Sequence, residues 1–474
     1  MAKLGKQVIT GTIWASLDKI GTMALRFVVN LILARLLMPA DFGCIGMISI
    51  FITVSQTLVD GGFGSALIQK KEPTQEDYST IFYWNLLFAV ILYGILYSCA
   101  PLIASFFSID QLCKIIRVLG LVLIINALII VQNNRLRKQL AFKTIALINV
   151  GSHLFAAIIA IWLAYKNWGV WSLVSMQLMY GIFQNCLLWS CVKWYPSFQF
   201  SMQSLRQLFG FGGYLLAANI LQSICTNLQG ILIGRKFSAV QMGFYSQAKK
   251  LDDVCTHALP NVIVQVIFPV YSRFQNDKQK LQDVLGLSAR LISYFIFPLM
   301  MILILVAEPL IVSLYGEKWL ASVPYFRILC LGGIFVCLQS INYYAVAAVG
   351  KSNALFGWSI YKWSVLLLSL IIGSHWGIYG ILWGMVLGDI NIFLTNACLA
   401  HKYIGHKLIK QAKDVIPILL ISVLSYLSTY FLQLYVYSIH FVLTVLIFTG
   451  IYILLSLLCR LSILSDIWNL KKYF

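Results

Sequence analysis

Long apolar runs, separated by short basic or glycine- and proline-bearing connections, recur from one end of the chain to the other. Ile81–Ala104, Val118–Asn134, Thr144–Tyr165, Leu291–Ala307, Val415–Tyr437 and Phe441–Cys459 contain no charged residue. A helix needs about 20 apolar residues to cross a bilayer, so each of these reads as a spanning helix. Fourteen spans are predicted, near 10–37, 43–69, 80–103, 114–134, 144–165, 169–191, 212–233, 243–270, 288–306, 324–346, 354–373, 377–399, 415–436 and 440–459. The fold class is therefore an all-α polytopic membrane protein.

Composition agrees: 60% of residues are hydrophobic and only 11% charged, with a mean hydropathy of +0.85. The formal net charge of +19 would suggest nucleic acid in a soluble protein. Here it is sided. With the N-terminus inside, Lys70, Lys71, Arg135, Arg137, Lys138, Lys143, Arg273, Lys278, Lys280, Lys402, Lys407, Lys410 and Lys413 are among the inner cations, which outnumber those outside or at outer span ends, Arg35, Lys114, Arg117, Lys166, Arg235, Lys236, Lys318 and Arg327. The positive-inside rule then places both termini in the cytoplasm. The excess also suits contact with anionic membrane lipids, and it gives no reason to expect a nucleic-acid partner.

The first span breaks the apolar pattern. Thr12, Ser16, Lys19, Met23, Arg26, Asn30 and Ala34 share one helical stripe, with Asp18 beside it. A cation at mid-membrane costs roughly 2.5–3.5 kcal/mol even on lenient scales, so it belongs in a protein interior or a wet cavity. Two readings follow: an internal ion pair involving Asp18, or a cationic cavity wall for an anion. The eighth span is polar over about half its circumference, with Lys249, Lys250, Asp252, Asp253 and His257. Lys249 and Asp253 are spaced to pair, which leaves Lys250 and His257 as cavity candidates. The seventh span carries Asn219, Gln222, Ser223, Thr226 and Gln229, polar but uncharged and suited to sugar hydroxyls. Ser49, Thr53, Gln56 and Asp60 share a stripe on the second span, and Asp60 adjoins Gly61, Gly62 and Gly64, a candidate gate. Lys362 and Asp389 are a candidate pair in spans eleven and twelve.

The chain repeats itself. Ala34-Arg35 with Phe42-Gly43 returns as Gly234-Arg235 with Met242-Gly243, an offset of 200. Pro101 to Ser105 returns as Pro309 to Ser313, and Trp168-Gly169-Val170-Trp171 as Trp376-Gly377-Ile378-Tyr379, each at 208. Six spans per copy give two parallel halves related by an axis along the membrane normal. The expected organisation is two pseudo-symmetric six-helix lobes, 1–195 and 213–400. Between them an amphipathic inner-surface linker helix occupies 196–212, and two extra C-terminal helices with a tail occupy 401–474.

Other chemistry finds little support. Eleven cysteines show no CxxC pair and six histidines no HExxH, so no metal is expected. Gly350-Lys351-Ser352 lacks the leading glycine of a P-loop, because position 345 is Ala; neither a nucleotide nor any other cofactor is expected. The first apolar segment is too long and too charged for a cleaved signal.

Ala34-Arg35-Leu36-Leu37-Met38-Pro39-Ala40-Asp41-Phe42-Gly43, Ala66-Leu67-Ile68-Gln69-Lys70-Lys71, the Trp194-Tyr195-Pro196 bridge, Gly243-Phe244-Tyr245-Ser246-Gln247-Ala248 and Phe268-Pro269-Val270-Tyr271-Ser272-Arg273 stand at family spacing over about the first 275 residues. On these the chain resembles the Wzx-type lipid-linked oligosaccharide flippases. They form the polysaccharide branch of the superfamily that also contains the drug/cation antiporters. The resemblance implies a bacterial inner-membrane transporter and not an enzyme, moving undecaprenyl-diphosphate-linked oligosaccharide by alternating access for surface polysaccharide assembly. A polysaccharide polymerase machinery is a candidate partner.

Within that frame Arg26, Lys19, Lys250, His257, Asn30, Asn219 and Thr226 are the expected substrate contacts. Asp18, Asp60 and Asp253 are candidate coupling or gating residues. The alternative is a cation-coupled drug antiporter of the same superfamily, against which the extra pair of spans and the cationic first helix argue. A membrane glycosyltransferase would need a larger outer loop than this chain provides.

The topology is open to a direct check. Reporter fusions after Lys143, Arg206, Lys280 and Phe474 should read as cytoplasmic, and fusions near Asp110 and Lys318 as external. One clear reversal would overturn the span count.

Overall fold

The apolar runs fold as helices, and among the described residues there is no strand. The computed structural model describes residues 2–70, 72–258, 267–435, 440–461, 463 and 466. Among these, nine helices are long and apolar enough to cross a membrane. The charged first helix, α1 (Ala2–Leu36), is not one of them, although its 35 residues exceed the required length. Contacts divide the chain into two compact units, Met1–Gly243 and Phe244–Phe474.

The first unit continues with α2 (Pro39–Asp60), α3 (Phe63–Gln69), α4 (Gln75–Phe107), α5 (Gln111–Leu119), α6 (Leu121–Ala127) and α7 (Ile130–Lys138). It then runs through α8 (Phe142–Tyr165), α9 (Val170–Val192), α10 (Met202–Lys236) and the start of α11 (Ala239–Asp253). The expected second span is two helices. Gly61 and Gly62 take φ of 58° and 71°, a left-handed backbone natural to glycine, and end α2 directly after Asp60. α1 packs on α8, and α8 on α9. The seventh span, which the repeat assigns to the second lobe, packs against α2, α3 and α4 in this first unit.

The bridge before it is not a separate helix. Residues 194–201 run extended, and the helix that follows continues unbroken to Lys236. Side chains fasten this strap to the head of α4. Trp194 Nε1 donates to Gln75 Oε1 at 2.6 Å, and Gln75 Nε2 to the Tyr195 carbonyl at 2.8 Å. The backbone N–H of Ser197 donates to Ser79, and that of Ser201 to Thr80. Buried Asp77 caps α4 with Thr74, pairs with Lys70 at 2.6 Å and accepts from the Ser204 hydroxyl. A buried carboxylate is tolerable when it is so fully partnered.

At the opposite end of α2, two backbones meet with almost nothing between them. A Cβ on Gly43 would lie 1.7 Å from the Ala239 carbonyl oxygen, and one on Gly243 would lie 1.9 Å from that of Pro39. Both partners are separated by the repeat offset of 200, so the contact is reciprocal: each copy's glycine seats the other copy's helix head.

The second unit contains α12 (Lys278–Leu305), α13 (Ala307–Tyr315), α14 (Val323–Ala348), α15 (Ser352–Gly373), α16 (Gly377–Ile404), α17 (Leu408–Tyr435) and α18 (Phe441–Leu458). α14, α15 and α16 pack together, and α12 joins α14 to the extra helix α17. Arg290 of α12 donates to Asp414 of α17 at 2.6 Å and to Asp466 at 2.8 Å. Gly286 makes room for Asp414 there, since a Cβ would stand 2.9 Å from its Oδ2. The expected Lys362–Asp389 pair does not form. Lys362 reaches the Asn396 amide oxygen instead, at 3.0 Å, two helical turns from Asp389.

The reciprocal glycine contact generates a stability prediction. Gly43→Ala or Gly243→Ala forces two backbones apart and should cost about 1–3 kcal/mol, read as a lower melting temperature of the purified protein. Gly94→Ala, at a position with open space around it, is the control and should not destabilise. Equal melting of all three variants would refute the contact.

Candidate functional site

Two groups of polar side chains in the first unit stand apart from its apolar packing. The first is built in tiers across α1, α8 and α9. Asn149 and His153 lie four residues apart on α8, and Tyr180 and Gln184 lie four apart on α9, so each pair presents one face. In one tier Asn149 Nδ2 donates to both carboxylate oxygens of Asp18, at 3.2 and 3.1 Å, and Gln184 Nε2 donates to Asn149 Oδ1 at 2.9 Å. In the other, Arg26 Nε donates to His153 Nε2 at 3.0 Å. The His153 ring lies flat on Tyr180, with centres 3.9 Å apart and planes 11° apart. The Arg26 guanidinium carbon is 6.0 Å from the Tyr180 ring centre.

Asp18 and Arg26 do not pair with each other in this arrangement. Asp18 and Arg26 are eight residues, about 12 Å, apart along the axis. Each is held by its own neutral partners, and among the described residues Arg26 makes no ion pair. Its side chain is anchored at Nε, and the residue as a whole is exposed. Lys19, seven residues before Arg26 on the same face, is also exposed, and Asn30, four residues after, is half-buried.

The second group is an open cleft of about 420 Å³ between α2 and α10. Thr53, Gln56, Thr57 and Asp60 line one wall, and Asn219, Gln222, Ser223, Thr226 and Asn227 the other. The walls touch where the hydroxyls of Thr57 and Ser223 lie 3.1 Å apart. Its size is that of a small-molecule site, yet such sites are ordinarily apolar. Here all nine lining residues are polar and only Asp60 is charged. Hydroxyls and amides both donate and accept, which matches the mixed hydrogen-bonding of a carbohydrate.

Of the other expected residues, Lys250 and Asp253 lie on α11 in the second unit. Asp253 pairs with Lys249 at 3.0 Å, and Lys249 also bonds Asp252 at 2.8 Å, so Lys249, Asp252 and Asp253 form an ion-pair set. Lys250 is exposed. The His257 side chain lies outside the described residues; its backbone belongs to the wider helical turn Val254–Ala258 that follows α11. Sequence reasoning missed Asn149, His153, Tyr180 and Gln184, along with Thr57 and Asn227. The signal for the first four was their spacing: two polar i,i+4 pairs inside spans that otherwise read as lipid-facing.

Residues 32–324 match the family described as polysaccharide biosynthesis protein, and the chain belongs to it. Teichuronic acid biosynthesis protein TuaB of Bacillus subtilis is 25% identical over 360 residues, covering 76% of this chain and 74% of TuaB. The succinoglycan biosynthesis transport protein ExoT of Rhizobium meliloti is 25% identical over 359 residues, covering 75% and 72%. Among solved structures, the lipid II flippase MurJ in an inward closed conformation superposes with a TM-score of 0.74. It is 17% identical, with 94% of this chain and 99% of that one covered. The chain thus has the flippase fold and is a multi-pass membrane protein of polysaccharide biosynthesis.

Proposed function

We propose that the protein carries a lipid-diphosphate-linked oligosaccharide across the bacterial cytoplasmic membrane for surface polysaccharide assembly, by alternating access and without chemical change. The observation that carries this reading is Arg26, set in a membrane-length helix and held by a neutral imidazole instead of a carboxylate. A diphosphate headgroup entering hydrocarbon loses its hydration at prohibitive cost. A guanidinium restores part of that loss with paired, charge-assisted hydrogen bonds.

Lys19, Asn30, Lys250 and His257 are proposed as further contacts to the headgroup, and Asn219 and Thr226 in the polar cleft as contacts to sugar. The polyprenyl tail stays in lipid. Asp18, Asp60 and Asp253 are proposed to serve coupling or gating. Fourteen spans, cytoplasmic termini, two six-helix lobes and handover to a polymerase belong to the same proposal. Asp60 is the observation that favours the other reading, a cation antiporter, because among the described residues it is the one carboxylate lining the cleft.

Substitution separates the two. Arg26→Ala should abolish glycan export while the protein accumulates normally in the membrane, and Arg26→Lys should restore only part, since an ammonium lacks the planar fork. Asn219→Ala and Thr226→Ala should each reduce export partially. Loss of the protein itself, with rescue by a second change at Asp18 or Asp60, would mean that Arg26 is a structural ion-pair partner. Full export by Arg26→Ala would remove it from the mechanism.

A further inference from the structure

The tier that holds Arg26 contains a titratable ring, and its bonding fixes where the ring proton sits. His153 is only 5% exposed and is stacked on Tyr180. Because Nε2 accepts from Arg26 Nε, that nitrogen is bare and the proton of the neutral imidazole is on Nδ1. A second proton has only Nε2 to go to. It would set two cationic N–H donors against each other across 3.0 Å, so Arg26 would have to leave. Arg26 and a proton therefore compete for one lone pair.

We infer that His153 is a proton-binding site linked to the anion site at Arg26, so that the protein takes up a proton at His153 Nε2 as a diphosphate draws Arg26 away. The inference rests on the reading of Arg26 as an anion contact. An anion that pulls the guanidinium off the ring exposes the lone pair; a proton that arrives there releases the guanidinium to the anion. By reciprocity each event favours the other by the same factor. The proton comes from cavity water and returns to it when Arg26 recloses on the ring, so no other reactant is needed.

The surroundings allow this. Arg26 faces the ring from α1, and Asp18 on the same helix is engaged by Asn149, one helical turn (about 6 Å) before His153 on α8. From α9 the facing titratable group is Tyr180, whose ring also offers its π-face to an imidazolium. From α7 come Arg135, Arg137 and Lys138 in its last turn, near the start of α8. His153 is eleven residues beyond Phe142, about 16 Å along the helix. A histidine that merely anchored Arg26 would need an acceptor and nothing more. Glutamine supplies that acceptor and cannot titrate, which makes the distinction measurable.

The full-length protein in lipid nanodiscs is titrated with a short-chain polyprenyl diphosphate sugar, a diester in which each phosphate holds one charge throughout the range tested. Binding heats are compared in buffers of different ionisation enthalpy between about pH 5 and 8, where imidazole titrates. Wild type should take up as much as one proton per diphosphate, with affinity rising up to about tenfold per unit fall in pH. His153→Gln should bind with no proton uptake and with a flat pH profile. Uptake that persists in His153→Gln, or wild-type binding with no uptake anywhere in the range, overturns the inference while sparing the anion site. Failure of wild type to bind the diphosphate at all overturns both. Should His153→Gln not accumulate, nitrogen-15 spectra of the wild-type histidines decide: the probe must convert an Nδ1–H neutral ring to imidazolium, and a ring that stays neutral refutes the coupling.

Discussion

The cost of placing charge among hydrocarbon governs how this chain is arranged. The protein meets it in two different ways. In α11, Lys249 is met by the carboxylates of Asp252 and Asp253. In α12, Arg290 is gripped by Asp414 and Asp466, which fastens the extra C-terminal helices to their neighbour. α1 is handled otherwise: its acid and its base are each supported by neutral amide, imidazole and phenol groups from α8 and α9. Opposite charges are paired in α11 and α12, whereas the charges of α1 rest on neutral partners. That difference in partner chemistry is what separates the α1 tier from the other charged clusters.

The polar cleft follows the same logic without net charge. A wall of hydroxyls and amides loses less on leaving water than ions do, and it exchanges water for sugar hydroxyls at little net cost. Under the proposed function, anchoring part of a headgroup by charge while the glycan slides past interchangeable hydrogen-bond groups permits binding without deep trapping. A carrier must release what it holds, so a cleft of modest, replaceable contacts suits the task better than a tightly complementary one.

Much of this was legible in the residues because apolar length and charge position are local properties. The charge-free runs, the stripe bearing Arg26, the polar faces of the second and seventh spans and the repeat all appear in the chain order itself. What escaped notice depended on which helix lies beside which. Nothing in Thr144–Tyr165 reveals that Asn149 and His153 face Asp18 and Arg26 more than 120 positions earlier. Lys362 and Asp389 looked like a pair because opposite charges on neighbouring spans invite pairing, but the register between α15 and α16 sets Asn396 against the amine. The bridge at 194–201 resembled the start of a surface helix, yet Gln75, Ser79 and Thr80 offer its backbone better partners in extended form.

The contact between Gly43 and Gly243 has a bearing on how such a molecule is able to change over generations. A surface that meets its own repeat-mate through equivalent positions is self-complementary, and two copies of a single repeat satisfy it as well as one fused chain does. Divergence of the halves is therefore asymmetric: loops, strap and cleft walls are at liberty to drift apart, while the two helix heads remain bound to a shared shape. A mutation in either helix head is felt by both, so at this point the internal repeat acts as a steric rule even where the side chains around it differ.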